Sequence, residues 1–201
     1  QIPRDLVRKH ARVHPPQLLF DRDRAQAPLV LRRRVTYFGF ALEQEDEPLR
    51  SWRGELGPDA RRVLAGALAR GEAIHPSVRR YEREIAEVRE IWRRSGGVTA
   101  RLGLDELTAM YEAALAGVED VHQWRAVRPV LEFAALVSAE DRAKYLALPG
   151  AVEIRDRAVP IEYDVEQDAE GRSFGVARLR VPEKLARTLH ASELPTLDRP
   201  L

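Results

Sequence analysis

The chain divides into three stretches according to the period at which its apolar residues recur. The short apolar run Leu18–Phe20, the charged turn Asp21–Pro28 and the strand-forming residues from Leu29 to Leu42 predict a β-hairpin whose second strand is interrupted by Arg32–Arg34. Across residues 58–148 the apolar positions recur at intervals of three and four, which predicts amphipathic helices. After Pro149-Gly150 the period becomes two, as expected for an antiparallel meander that buries one face. A short helix beginning near Pro182 is expected to close the chain.

This pattern predicts an α+β protein. We expect an N-terminal β segment over residues 1–57, a central helical bundle over 58–148, and a C-terminal antiparallel β meander with a closing helix over 149–201. The acidic residues from Glu43 to Pro48 are expected to form a loop that ends the hairpin. The apolar seam from Val78 to Trp92 predicts one continuous helix that ends at Ser95-Gly96-Gly97.

Composition narrows the class of protein. The 201 residues are 44% hydrophobic and 32% charged, which is typical of a globular chain large enough to bury a core. The absence of cysteine excludes disulfides and thiolate metal sites. No apolar run approaches the length of a membrane span and no signal peptide is visible, so we expect a cytoplasmic protein. Because the chain begins at Gln1 and its only methionine is Met110, we expect it to be a piece of a longer polypeptide.

The net charge of +1 conceals a gradient along the chain. Residues 1–40 carry nine Lys and Arg against three Asp and Glu, whereas residues 151–201 carry eight against ten. Only the first stretch therefore offers a basic surface of the kind that attracts phosphates.

The predicted nucleic-acid contacts lie in this basic stretch. Cations follow a phosphate backbone, and exposed aromatic rings offer bases a stacking surface. The candidate residues are Arg32, Arg33, Arg34 and Tyr37. Strict alternation along one strand would place Phe38 and Phe40 on the face of Arg32 and Arg34, and Tyr37 on that of Arg33. The alternative is an ordinary sheet with its aromatic residues in the core and its arginines in solvent.

The remaining groups of acidic and histidine residues are explained by their structural positions. We therefore assign no catalytic, metal-binding or cofactor-binding residue. The chain contains no G-x-x-x-x-G-K-[ST], G-x-G-x-x-G or G-x-S-x-G motif. Glu162, Asp164 and Glu166 could in principle perform acid–base chemistry, but strand alternation explains them as a solvated face. The pair His10 and His14 precedes two prolines and is expected at the surface rather than on a metal.

The C-terminal stretch resembles a known family. The segments LPGAVEIRDRAVPIEYDVEQ and FGVARLRVPEKLARTL lie between Leu148 and Leu189. Their Val-Pro-Ile-Glu-Tyr strand and Val-Pro-Glu-Lys-Leu start of a helix are similar to a segment near the C-terminus of bacterial DExH-box ATP-dependent RNA helicases of the Hrp type. The upstream residues LAGVEDVHQW, from Leu115 to Trp124, resemble the helical stretch before that segment. The resemblance covers about residues 75–201.

The resemblance implies a non-catalytic accessory region attached to helicase motor domains of the same polypeptide. The motor motifs are missing from this sequence, so ATP and Mg²⁺ are expected on those motor domains and no cofactor is expected here. The supporting roles that the resemblance implies are holding single-stranded RNA, docking on the motor domains, or binding another partner such as the ribosome. The charge distribution favours residues 1–40 or one helix face for the RNA contact. The alternative is a protein-interaction or structural module that does not bind nucleic acid.

Overall fold

The computed structural model describes residues 10–190 and Glu193, and it confirms the α+β class. The first nine residues of the predicted basic stretch lie outside this range. The strands are β1 (Arg12–Val13), β2 (Gln17–Phe20), β3 (Leu29–Tyr37), β4 (Phe40–Leu49), β5 (Ala151–Ile154), β6 (Arg157–Gln167) and β7 (Ser173–Leu179). The α-helices are α1 (Leu56–Ala69), α2 (Pro76–Arg80), α3 (Glu82–Arg94), α4 (Leu104–Ala114), α5 (Val121–Ala126), α6 (Ala139–Leu146) and α7 (Glu183–Ala186), and a 3₁₀ turn spans Phe133–Ala135.

The chain separates into two compact units that do not follow the three predicted ranges. The first unit comprises residues up to Tyr81 together with Leu104–Leu131. The second comprises Glu82–Gly103 and the chain from Glu132 onward. The predicted central helices are therefore shared between two units, and the division into three domains stays a prediction.

The first unit contains an antiparallel sheet with β3 at its centre. β1 and β2 pair with one edge of β3, which confirms the predicted pairing of Leu18–Phe20 with the strand that starts at Leu29. The expectation that this strand continues to Leu42 is wrong, because it ends at Tyr37 and the chain turns back as β4, which pairs with the other edge of β3. The expectation that Glu43 to Pro48 form a loop is wrong, because these residues belong to β4. Strand propensity is low in this acidic run, but each of its residues lies opposite a partner in β3, including arginines that its carboxylates can approach.

Helix α1 connects the sheet of the first unit to its helices. α1 packs against α4 and β2, and its buried positions include Leu64 and Leu68. Trp52, only 1% exposed, enters this core before α1 begins. Its indole Nε1 donates to the carbonyl of Val118 at 2.8 Å, so the ring is both packed and hydrogen-bonded. Trp124 is also buried, as expected of a core tryptophan.

The seam from Val78 to Trp92 is not one helix. It is interrupted at Tyr81, where φ and ψ are −106° and 7°, so α2 and α3 are separate elements. The Tyr81 side chain is buried, and its hydroxyl donates to the carbonyl of Pro129 at 2.9 Å. The helix thus breaks at a residue whose side chain is held by a distant part of the chain, which the spacing of apolar residues does not reveal.

In the second unit, α3 packs against α6 and β6. The end of α3 is the glycine cap that the sequence indicates, since Gly96 and Gly97 have φ of +67° and +85°. Gly97 has a second reason to be glycine: a Cβ there would lie 3.1 Å from Cγ1 of Val165 in β6. The same residue thus ends the helix and permits close approach of the meander.

The predicted C-terminal meander is confirmed, with strand order β5-β6-β7. β6 buries Val159, Ile161 and Tyr163 on alternate positions, as the period of two predicts. The Tyr163 hydroxyl donates to the carbonyl of Pro149 at 2.9 Å. Arg94 lies over the Tyr163 ring at 5.1 Å and donates to the carbonyl of Leu148 at 2.7 Å. The closing helix is the single turn α7.

His75 is a buried titratable group in the first unit. It caps α2, where its Nδ1 accepts from the amide of Ser77, and its ring centroid lies 4.8 Å from that of Trp124. Its Nε2 has no hydrogen-bond partner among the described residues. Burial lowers the pKa of His75 below its ordinary value, and Arg128 adds to the effect.

We predict that His75 makes the first unit less stable in mild acid. The native state holds the ring neutral, whereas the unfolded chain takes up a proton near pH 6.5. Stability is therefore retained above this pH and falls as the pH drops through it towards the lower native pKa. Thermal unfolding from pH 7.5 to 5 should show a weaker pH dependence for His75→Asn, which keeps a capping side chain that does not titrate. The exposed His122→Asn is the control, and an unchanged slope in the His75 variant would contradict the assignment.

Candidate nucleic-acid interface

The register of the N-terminal sheet sorts its charged residues onto two faces. Directly paired residues of antiparallel strands share a face, and alternate residues of one strand lie on opposite faces. Arg32 is paired with Asp46, and Arg34 with Gln44. Arg33 lies between them in β3 and is paired with Glu45, on the other side of the sheet. The three consecutive arginines are therefore divided two to one.

One side of the sheet, here called the basic face, carries Arg12, Arg32 and Arg34. Arg12 lies on the basic face because it is paired with Thr36, and Thr36 lies two residues after Arg34 in β3, on the same face of the sheet. Asp46 is the one carboxylate that the four described strands place on this face. Arg12 and Arg34 are exposed, and neither forms an ion pair with a described residue. Cations therefore outnumber carboxylates on this face.

Arg32 is the least available cation of the basic face. Its Nε and Nη2 donate to the two carboxylate oxygens of Asp46, each at 2.7 Å. This paired geometry raises the pKa of Arg32 and lowers that of Asp46. A nucleic-acid phosphate would have to compete with this carboxylate for Arg32, whereas Arg12 and Arg34 face no such competitor among the described residues.

The opposite side, here called the acidic face, carries Arg33, Glu43, Glu45 and Glu47. Arg33 lies 3.4 Å from Glu47, and both side chains are more than half exposed. Among the residues that the structure describes on the four strands, carboxylates outnumber guanidiniums on this side, which makes it a poor surface for phosphates. Tyr37 lies four residues after Arg33 in β3 and is therefore on the acidic face as well. The structure thus brings Arg32 and Arg34 together but places Arg33 and Tyr37 on the other face.

Three aromatic residues lie at the end of the β3–β4 hairpin and are here called the aromatic tip: Tyr37, Phe38 and Phe40. The expectation that Phe38 and Phe40 share the face of Arg32 and Arg34 is wrong. Phe38 and Gly39 form the two-residue turn, so Phe40 starts the returning strand directly opposite Tyr37. Counting along one strand fails here because the chain reverses between the two phenylalanines.

Sequence reasoning missed two groups on the basic side, Arg12 and His14. The His14 amide donates to the carbonyl of Arg34 at 3.0 Å, and its Nε2 lies 2.7 Å from Oγ1 of Thr36. The segment is extended rather than helical, so His10 and His14 do not have the helical spacing that a metal pair would require. Within residues 10–190 and Glu193, no group of three potential ligands surrounds a metal position. The net positive charge of residues 1–40 was the signal that pointed to this region.

The carboxylates of β6 are paired as a surface ladder. Asp164 accepts from Arg178 at 2.7 Å, and Glu166 also accepts from Arg178. Glu162 accepts from Arg180 at 2.9 Å. The hydrogen bond from Arg178 is the main reason that the pKa of Asp164 lies below its ordinary value. This geometry supports the interpretation of these residues as a solvated face of the meander.

Comparison of the chain with protein-family models, curated proteins and solved structures finds no match. The described residues include no helix long and apolar enough to cross a membrane.

The carboxylate ladder yields a prediction about the titration of Asp164. Replacing Arg178 with Ala removes the guanidinium that favours the ionised carboxyl, so the pKa of Asp164 should rise towards its ordinary value. Carboxyl ¹³C chemical shifts followed over a pH titration would measure this change. The control is Arg157→Ala, because Arg157 is an exposed arginine in β6, the same strand as Asp164. An Asp164 pKa that is unaffected by Arg178→Ala would show that the ladder does not set it.

Proposed function

We propose that this chain is a non-catalytic accessory region of a DExH-type ATP-dependent RNA helicase, and that its basic face contacts the backbone of single-stranded RNA. The residue pattern from Leu148 to Leu189 supports the first part of the proposal. In this proposal ATP and Mg²⁺ bind to motor domains of the same polypeptide, and the region acts in the cytoplasm. This chain supplies binding and docking surfaces rather than chemical steps.

The observation that carries the RNA contact is the sorting of charge by the β3 register. Arg12 and Arg34 are diagonal neighbours across β1 and β3, because Arg12 lies opposite Thr36. Two adjacent exposed guanidiniums can each donate hydrogen bonds to a phosphate. Phosphate contacts supply most of the affinity in sequence-independent binding, and they require cations without carboxylates in competition. Arg12 and Arg34 meet this condition among the described residues.

The acidic face restricts where RNA can lie. A phosphate chain crossing Glu43, Glu45 and Glu47 would meet three carboxylates, so the strand has to stay on the other side of the sheet. In this proposal Arg33 pairs with Glu47 of the same hairpin and does not contact RNA. Of the four residues proposed from sequence, Arg34 is the one that the geometry favours most.

We predict that single-stranded RNA binding depends on the basic face and on salt. In fluorescence anisotropy titrations, the double variant Arg12→Ala/Arg34→Ala should bind more weakly than the unaltered chain. The slope of log affinity against log salt should become shallower by about 1.4, because each lost contact on a single strand accounts for about 0.7. Circular dichroism should confirm that the sheet is retained.

Arg33→Ala is the matched control, since it removes the same side chain from the adjacent position on the acidic face. It should leave both the affinity and the salt slope close to those of the unaltered chain. The single variant Arg34→Ala should lose affinity, and an equal loss in Arg33→Ala and Arg34→Ala would contradict face-specific contact. Failure of the unaltered chain to bind RNA at low salt would contradict the RNA function itself.

A second candidate function is docking onto another protein without nucleic acid. The observation that favours it is the acidic face of the exposed edge strand β4, which complements a basic protein surface such as one on the motor domains. The triple variant Glu43→Gln/Glu45→Gln/Glu47→Gln should then reduce co-purification with a motor fragment. Under the RNA proposal this variant should instead retain or increase RNA affinity, because it removes negative charge from the sheet.

A further inference from the structure

The turn of the β3–β4 hairpin contains a residue that its backbone does not favour. Phe38 has φ of +47° and Gly39 has φ of +84°, and Tyr37 is paired with Phe40 on either side of them. A two-residue turn with both residues at positive φ is normally formed by Asn, Asp or Gly. A bulky aromatic residue at positive φ is an outlier, since its side chain is strained there. Turn stability does not explain the phenylalanine.

Burial does not explain it either. Phe38 is 85% exposed and Phe40 is 77% exposed, so neither ring contributes to the hydrophobic core. The Phe38 ring does contact Tyr37, edge to face, with centroids 4.7 Å apart and planes at 89°. This contact orients the Phe38 ring but leaves most of its surface in solvent. The position therefore combines backbone strain with exposed apolar surface, a combination that points to a function.

We propose that Phe38 stacks on an unpaired base of single-stranded nucleic acid whose phosphates lie along the basic face. This inference rests on the proposed RNA contact and deepens it, since it names the part of the ligand that the aromatic tip recognises. Arg34 lies in β3 and Phe38 in the turn that follows, so the cation and the ring belong to one hairpin and are separated by about 13 Å of extended strand, a distance that more than one nucleotide would span. The Phe38 ring packs on Tyr37, which belongs to the acidic face, so the strand would leave the basic face at the end of the hairpin to reach the ring. Guanidiniums that hold the backbone and an exposed ring that holds a base form the combination that binds single strands without sequence preference.

A base fits the aromatic tip better than an apolar protein surface does. The tip offers two exposed phenylalanine rings at the end of a narrow hairpin, next to a sheet whose two faces are strongly charged. A stable protein interface needs a much larger contiguous area with an apolar centre. A base needs only one exposed ring face and loses its stacking partner when the duplex opens. The expected ligand is thus an unpaired nucleotide rather than a duplex.

The test is Phe38→Asn, because asparagine removes the ring and also suits the positive φ of this turn. Thermal unfolding should show equal or higher stability, so lost binding could not be attributed to misfolding. The affinity for a single-stranded RNA oligonucleotide should fall about tenfold, the loss expected for one stacked base. The salt slope should remain unchanged, because no phosphate contact is removed. Affinity for a blunt RNA duplex should be the same for both proteins.

The controls separate the stacking claim from the RNA function. Phe174→Asn, at a 44% exposed phenylalanine of the C-terminal meander, should leave RNA affinity unchanged, whereas Phe38→Trp should retain it. If the unaltered chain binds RNA through Arg12 and Arg34 but Phe38→Asn binds equally well, the stacking inference alone is wrong. If the unaltered chain binds no RNA, both proposals are wrong. If Phe38→Asn weakens co-purification with a motor fragment and leaves RNA affinity intact, the tip is a protein contact and the inference is overturned.

Discussion

The register between β3 and β4 is the constraint on which the N-terminal half of this molecule depends. The Phe38-Gly39 turn and the irregularity between Val35 and Thr36 together determine which residue of β4 lies opposite each residue of β3. Because side chains alternate with a period of two, a slip of one residue would move every β4 side chain to the other face, while the β3 side chains would stay where they are. Arg32 would then lose its paired carboxylate at Asp46. The charge separation between the two faces is therefore a consequence of pairing, not of composition.

The second unit uses arginine for a different purpose. Arg94 joins three partners at once, since it lies over the Tyr163 ring, donates to the Leu148 carbonyl and pairs with Glu90. Its planar, multivalent guanidinium suits such a junction, which a lysine could not reproduce. Across β6 and β7, Arg178 is shared by two carboxylates. These arginines have their own carboxylates, so they connect parts of the fold instead of adding to a surface that attracts anions.

Local sequence patterns predicted the fold class, the C-terminal meander and the glycine cap at Gly96-Gly97 because each depends on neighbouring residues. They failed where the deciding partner is distant in sequence. The acidic residues of β4 look like a loop until they are paired with the arginines of β3, and the break at Tyr81 coincides with a bond to Pro129. Arg32 and Arg34 were identified as candidate contacts from charge alone. Their separation from Arg33 and Tyr37, and the addition of Arg12, required the register.

The mixture of paired and unpaired cations on the basic face bears on how tightly the proposed interface can hold RNA. Arg32 already has two hydrogen bonds to Asp46, so transferring it to a phosphate exchanges one charged partner for another with little net gain. Arg12 and Arg34 exchange water for phosphate, and their contribution weakens as salt screens it. A sheet with few available cations and an acidic opposite face favours weak, reversible contact over tight capture. Such contact suits a region that would support a strand while the chemical work is done by other domains.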